Sequence, residues 1–179
     1  MNWLGKRELI EMPILGALFR AGGIHPVDRR TADVDAFRTA MRILESGNIL
    51  AVFPEGTRSS DGALQPVREG VAVLALRSGV PVLPVAVVDS DKLWPKASLL
   101  PRPGRRVTVR FGRPFVVGDE LPGSAAGNRR DRRQLKDAAT RLIMARIAEL
   151  LPPRQRGVYT DAVGSARVAA GTAETEPVA

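Results

Sequence analysis

Cysteine is absent from the 179 residues. That excludes disulfides, thiol nucleophiles and cysteine metal sites, and it leaves the redox compartment undetermined. Histidine occurs once, as His25, so no metal-ligating set of His and Cys can be assembled and no metal is expected. Aromatic residues make up 4% of the chain, too few to interleave with its basic residues as stacking platforms. Sequence-reading nucleic-acid modules therefore receive little support, and no nucleic-acid partner is expected. No apolar run approaches the length of a membrane span, and the first residues do not run basic-then-apolar as a secretion signal does. The expectation is that any membrane contact is peripheral or borrowed from a partner.

What remains is basic and moderately apolar. The length fits one domain with enough apolar content for a sizeable core, expected over residues 1–151, with 152–179 as a disordered tail rich in small and polar residues. A formal charge of +8 implies attraction to phosphate ligands, anionic lipid or nucleic acid, and charge alone does not choose among them.

The organising stretch is residues 49–60. Residues 49–53 form a short apolar run stopped by Pro54, which reads as an interior parallel strand. A loop then starts at the carboxyl end of that strand, where ligands collect in open α/β sheets. Gly56 permits close backbone approach, and Arg58 offers a planar fork of donors suited to a phosphate. Thr57 and Ser59 can fill in around it. Glu55, while ionised, cannot hold a phosphate, so its expected role is to fix Arg58 or the loop backbone by hydrogen bonding. Taken alone, the stretch fits an anion site and a polar turn with a surface arginine equally well.

The rest of the chain alternates helix and strand. Residues 13–20 read as a short helix with Pro13 in its first turn, and 24–28 as extended, because His25 precedes Pro26. Asp33 can cap a helix that ends at Gly47, and a second helix over 67–78 ends at Gly79. Residues 81–88 are nearly all apolar and read as a strand buried on both faces, closing a right-handed βαβ unit with the strand before it. Residues 89–105, with Lys92, Trp94 and Lys96, form a proline-rich loop. Residues 106–111 alternate basic and apolar as a half-exposed edge strand does, and 118–128 form a linker. Residues 132–151 make an amphipathic helix with Leu135, Ala139, Leu142, Ile143 and Ile147 on one side and arginines along the other. The fold class is therefore α/β, a mixed and mainly parallel sheet flanked by helices.

In order along the chain, these motifs resemble the glycerolipid acyltransferases of the 1-acylglycerol-3-phosphate (lysophosphatidic acid) type. Residues 6–9 (KREL) with 13–16 (PILG) look like the segment following that family's first motif, and 23–29 (GIHPVDR) look like its second. Residues 53–59 (FPEGTRS) are its third motif complete, and 80–85 (VPVLPV) resemble its fourth. The resemblance implies transfer of an acyl group from a thioester, acyl-CoA or acyl carrier protein, to a lysophospholipid hydroxyl in phospholipid biosynthesis, without a cofactor. It implies a substrate-binding set of Arg29, Glu55, Gly56, Thr57 and Arg58, with Arg29 and Arg58 on the acceptor phosphate and Pro84 bordering the donor site. It also implies peripheral attachment to an anionic membrane surface at its cytoplasmic face.

The family's first motif, a His followed five positions later by an Asp, does not occur in this sequence. That pair supplies the general base and its orienting carboxylate. His25 and Asp28 are three apart in an extended stretch, so their side chains should diverge, and His25 is expected to be an exposed or loop residue. The expectation is an N-terminally incomplete acyltransferase domain, weakly active or inactive alone. A site completed by another polypeptide and a phosphate-binding pseudoenzyme are the other readings. The alternative function is a non-catalytic peripheral membrane protein that binds lipid phosphate.

Overall fold

The computed structural model describes residues 1–6, 16–17, 21–27, 33–67, 70–98, 100–121 and 129–163. The expected mixed α/β architecture is present, and among the described residues its strands lie in two separate pieces. The first is a parallel sheet in which β1 (Asn2–Lys6) lies between β2 (Ile24–Val27) and β3 (Leu50–Ala51). Trp3 stands opposite Ile24 on one side and Ala51 on the other. Sequence pattern did not single out β1, because Asn2 and Lys6 flank only two large apolar residues; pairing on both edges is what makes it a strand.

Two expectations about strands are corrected. The run 49–53 is not an interior strand: only Leu50 and Ala51 pair, β3 lies at the sheet edge among the described residues, and Ile49 and Phe53 are 69% and 64% exposed. The run 81–88 is not buried on both faces either. Its ladder begins after Pro84, since proline contributes no donor, and β4 (Val85–Val88) pairs antiparallel with β5 (Thr108–Phe111). Ala86 and Val88 face the core while Val85 and Val87 face outward. Among the described residues β4 and β3 share no sheet, so the expected βαβ unit is not closed by pairing. The edge character expected of 106–111 is found in β5, which is exposed along its length.

The helices follow the sequence pattern more closely. α1 (Asp33–Glu45) and α2 (Gly70–Ser78) end just before Gly47 and Gly79, both left-handed, and they pack on one another with Arg77 over the Phe37 ring. A single turn, α3 (Ser90–Leu93), interrupts the loop expected over 89–105, and another, α4 (Val117–Glu120), opens the expected linker. α5 (Arg129–Glu149) is the spine of the core. Its Ala139 and Ile143 meet Ala72, Ala75 and Val117, and one turn further Met144 and Ala148 meet Leu64, Ala86 and Val88. Arg146 leaves the same helix to grip Glu120 through Nη2 at 2.8 and 3.0 Å, with its guanidinium over the Phe115 ring. No described helix is long and apolar enough to cross a membrane.

The packed chain does not end at 151. Two 3-10 turns, Pro153–Gln155 and Gly157–Tyr159, fold back on α5 and on the loop after β3, with Gln155 buried and Tyr159 packed against the Leu64 cluster. The expectation of a disordered tail from 152 is corrected over this stretch. The single tyrosine, packed against the Leu64 cluster, and the buried glutamine anchor this stretch.

Candidate functional site

The site is built on the loop that leaves β3. Phe53 accepts a hydrogen bond from the Gly56 amide at 3.0 Å, closing a tight turn, and its ring stacks on Trp3 of β1 with centroids 5.8 Å apart. Gly56 sits at φ 63, the left-handed region that a Cβ disfavours, although nothing lies within 4 Å of where a Cβ would be. The glycine therefore meets a torsional need, not a steric one.

Glu55 is half-buried beneath the turn. Its Oε2 accepts the Gln65 backbone N–H at 2.9 Å, tying the start of the loop to a point ten residues on. Burial pushes its carboxyl pKa up, the Gln65 amide pulls it down, and the charge of nearby Asp61 raises it further. Asp61 is exposed and held low, chiefly by the Ser59 hydroxyl, which donates at 2.7 Å, and by the Ala63 amide at 3.1 Å. Of the two roles expected for Glu55, the geometry shows the grip on loop backbone and no contact with Arg58 among the described residues.

Arg58 projects from this braced loop and is exposed. Its Nη2 donates to the Lys96 carbonyl at 3.4 Å, and its guanidinium carbon lies 5.4 Å from the centre of the Trp94 ring. Trp94 is itself anchored: its indole N–H donates to the Ser98 carbonyl at 3.0 Å and its backbone N–H to Ser90 at 2.9 Å. Arg58 thus rests on the segment that follows α3. Only one of its five donors is used among described residues, which leaves a fork available to an oxyanion. Thr57 is exposed beside it, its hydroxyl 3.5 Å from the Arg58 carbonyl.

Arg29 and Asp28 lie outside the described residues. His25, expected to be an exposed or loop residue, instead sits in β2, half-buried, with Nε2 2.8 Å from Asn2 Oδ1. Pro84 is buried under Gly112 at the head of β4.

Sequence reasoning missed the partners of Arg58 and the brace behind its loop. Trp94 and Lys96 were visible only as members of a proline-rich loop, and nothing in their spacing pointed to Arg58, 36 and 38 residues away in sequence. Gln155 and Tyr159 carried a signal, a large ring and an amide directly after a helix-ending Pro152-Pro153, which the polar composition around them masked.

Comparison with known proteins places this geometry in a family. Residues 1–88, which include β1–β4 and the Arg58 loop, match the family profile described as Acyltransferase. A 1-acyl-sn-glycerol-3-phosphate acyltransferase of Limnanthes alba is 34% identical over 119 residues, 65% of this chain and 42% of that protein. The protein of that name from Pseudomonas aeruginosa is 30% identical over 154 residues, 84% of this chain and 56% of the relative. The crystal structure of the 1-acyl-sn-glycerophosphate (LPA) acyltransferase PlsC from Thermotoga maritima superposes with a TM-score of 0.55 at 27% identity, covering 79% of this chain and 55% of that one. The chain thus spans roughly half the length of these relatives. With the FPEGTRS loop inside it, the segment 1–88 is an acyltransferase-family segment, similar in sequence to 1-acyl-sn-glycerol-3-phosphate acyltransferases.

Proposed function

We propose that this domain binds the phosphate of a lysophospholipid such as 1-acylglycerol-3-phosphate through Arg58 and presents the free hydroxyl for acylation by an acyl thioester, in phospholipid biosynthesis. The observation that carries the reading is Arg58, held by the Trp94 ring and the Lys96 carbonyl at the end of a loop whose backbone Glu55 ties down. A guanidinium set in advance binds phosphate with less loss of side-chain freedom than a mobile one. Gly56 and Thr57 shape the turn, and Arg29 is the second phosphate ligand in this reading.

In the reaction the hydroxyl oxygen attacks the thioester carbonyl, the carbon–sulfur bond breaks, and the thiol leaves carrying the proton that the hydroxyl surrenders. General-base catalysis of that proton transfer contributes about a hundred- to ten-thousand-fold, and the His-x4-Asp pair that supplies it in the family is not in this sequence. His25 does not replace it in this reading, because it lies within β2 with Nε2 against Asn2 Oδ1 and has no orienting carboxylate among the described residues. The chain alone therefore binds acceptor and turns it over slowly or not at all. The donor is acyl-CoA or an acylated carrier protein, and attachment is peripheral, to the anionic cytoplasmic face of a membrane.

Arg58→Ala tests the reading. A charge-assisted hydrogen bond contributes about 1.5–3 kcal/mol, so the variant should bind a water-soluble short-chain lysophosphatidate about ten-fold or more weakly by calorimetry. An unchanged binding curve removes Arg58 from the site. The second reading, a phosphate-binding membrane protein without turnover, is favoured by the lack of a carboxylate beside His25 among the described residues. Liposome sedimentation without acyl transfer, in a chain extended upstream, is the outcome that would select it.

A further inference from the structure

We propose that Gln155 is a positioning residue for Arg58, acting by clamping together the two segments between which the guanidinium is held; this rests on the phosphate-binding reading above. Gln155 is 3% exposed and is the buried polar residue of the described core. Its side-chain amide spends both kinds of hydrogen bond on two separate loops. Nε2 donates to the Gly62 carbonyl at 3.0 Å and to Asp91 Oδ1 at 3.3 Å, and Oε1 accepts the Asp89 backbone N–H at 3.4 Å. Its own carbonyl accepts the Leu64 amide at 3.0 Å.

Each of those partners leads to Arg58 by a short, hydrogen-bonded path. From Gly62 and Leu64 the next link is Gln65, whose amide is held by Glu55, three residues before Arg58. From Asp89 and Asp91 the path runs through the single turn of α3 to Trp94, pinned at Ser90 and Ser98, and on to Lys96. The first path carries the guanidinium and the second carries the ring and the carbonyl on which it rests.

Neighbouring contacts stiffen the same joint. Asp89, at φ 64, is gripped by Lys92 at 3.1 Å and by Arg154, the residue before Gln155. The Tyr159 hydroxyl accepts the Val67 amide at 3.3 Å, and Gly157 packs against the Leu64 carbonyl so closely that a Cβ would collide with its oxygen. A satisfied polar cluster inside a core holds its members in one arrangement, because any slippage leaves a buried donor or acceptor unpaired. The C-terminal turns therefore set the distance between the Arg58 loop and the Trp94 segment.

A double-mutant cycle tests this, with a short-chain lysophosphatidate as the probe and calorimetric affinity as the readout. Gln155→Leu is expected to weaken binding about five-fold, the size of coupling seen between residues in one network, and to weaken it no further when Arg58 is already alanine. That non-additivity is the signature a merely structural brace would not give. Wild-type affinity in Gln155→Leu, or a loss that adds in full to that of Arg58→Ala, overturns the inference. Arg58→Ala alone reports on the phosphate site itself, so wild-type affinity in that variant sinks the underlying reading instead. Should Gln155→Leu fail to fold, Asp91→Ala cuts the path to Trp94 at its partly exposed end and carries the same expectation and the same refutations.

Discussion

Replacing Trp94 separates a phosphate-gripping arginine from one that is only near the site. The guanidinium carbon of Arg58 lies 5.4 Å from the ring centre, within the range of a cation–π contact, and the ring is 47% exposed. An exposed contact of this kind contributes about 0.5–1 kcal/mol, the lower end applying where water reaches the ring. If that energy holds the guanidinium in its binding pose, Trp94→Ala should raise the dissociation constant for lysophosphatidate by about two- to five-fold. Trp94→Phe keeps an aromatic face but loses the indole N–H bond to Ser98, so it should fall between wild type and alanine. Calorimetry at low and at moderate salt is the assay, because a phosphate–guanidinium contact weakens with ionic strength in all three proteins while their ranking persists. Equal affinity in wild type and Trp94→Ala, with an intact circular-dichroism spectrum, would refute the reasoning. A phenylalanine variant as weak as alanine would transfer the role from the ring face to the Ser98 bond.

Two further perturbations follow from the loop itself. The carboxyl pKa of Glu55 is raised by burial, so the folded state binds its proton more tightly than the unfolded chain, and the resulting stability is present below the ordinary value of 4.5 and lost as pH rises through the folded value. Glu55→Gln keeps an oxygen for the Gln65 amide and cannot ionise; urea unfolding should show its stability gaining on wild type as pH rises from 4.5, and a parallel pH dependence would refute this. Gly157→Ala should destabilise far more than Gly56→Ala. Both glycines have positive φ, costing alanine about 1–2 kcal/mol, but only at Gly157 would the new Cβ collide with backbone, at the Leu64 carbonyl. Equal losses in thermal unfolding would show that the turn is free to move away from Leu64.

The parts of this protein that sequence made legible are those whose signal is local. α1, α2 and α5 could be read because apolar residues recur on one face and a glycine or proline stops each of them, and the third motif of the acyltransferase family could be read because it is contiguous. Burial of the strands could not, since it depends on what lies alongside. The apolar runs around β3 and β4 read as interior, yet Val85, Val87, Phe53 and Ile49 face outward because, among the described residues, pairing and helix packing cover only one edge or one face of each. The site divides in the same way. Arg58, Glu55 and Gly56 come from one stretch of twelve residues, whereas the ring under Arg58 and the amide behind its loop come from segments about 40 and 100 residues downstream. Gln155 shows the physical reason. A buried glutamine is recognisable by its partners, and its partners here are two backbone groups and a carboxylate drawn from two loops, Gly62, Asp89 and Asp91, none of which leaves a mark on residue type at position 155. In the phosphate-binding reading proposed above, the donor is written in a motif, whereas the residues that would hold it in shape are identifiable only once the chain has folded.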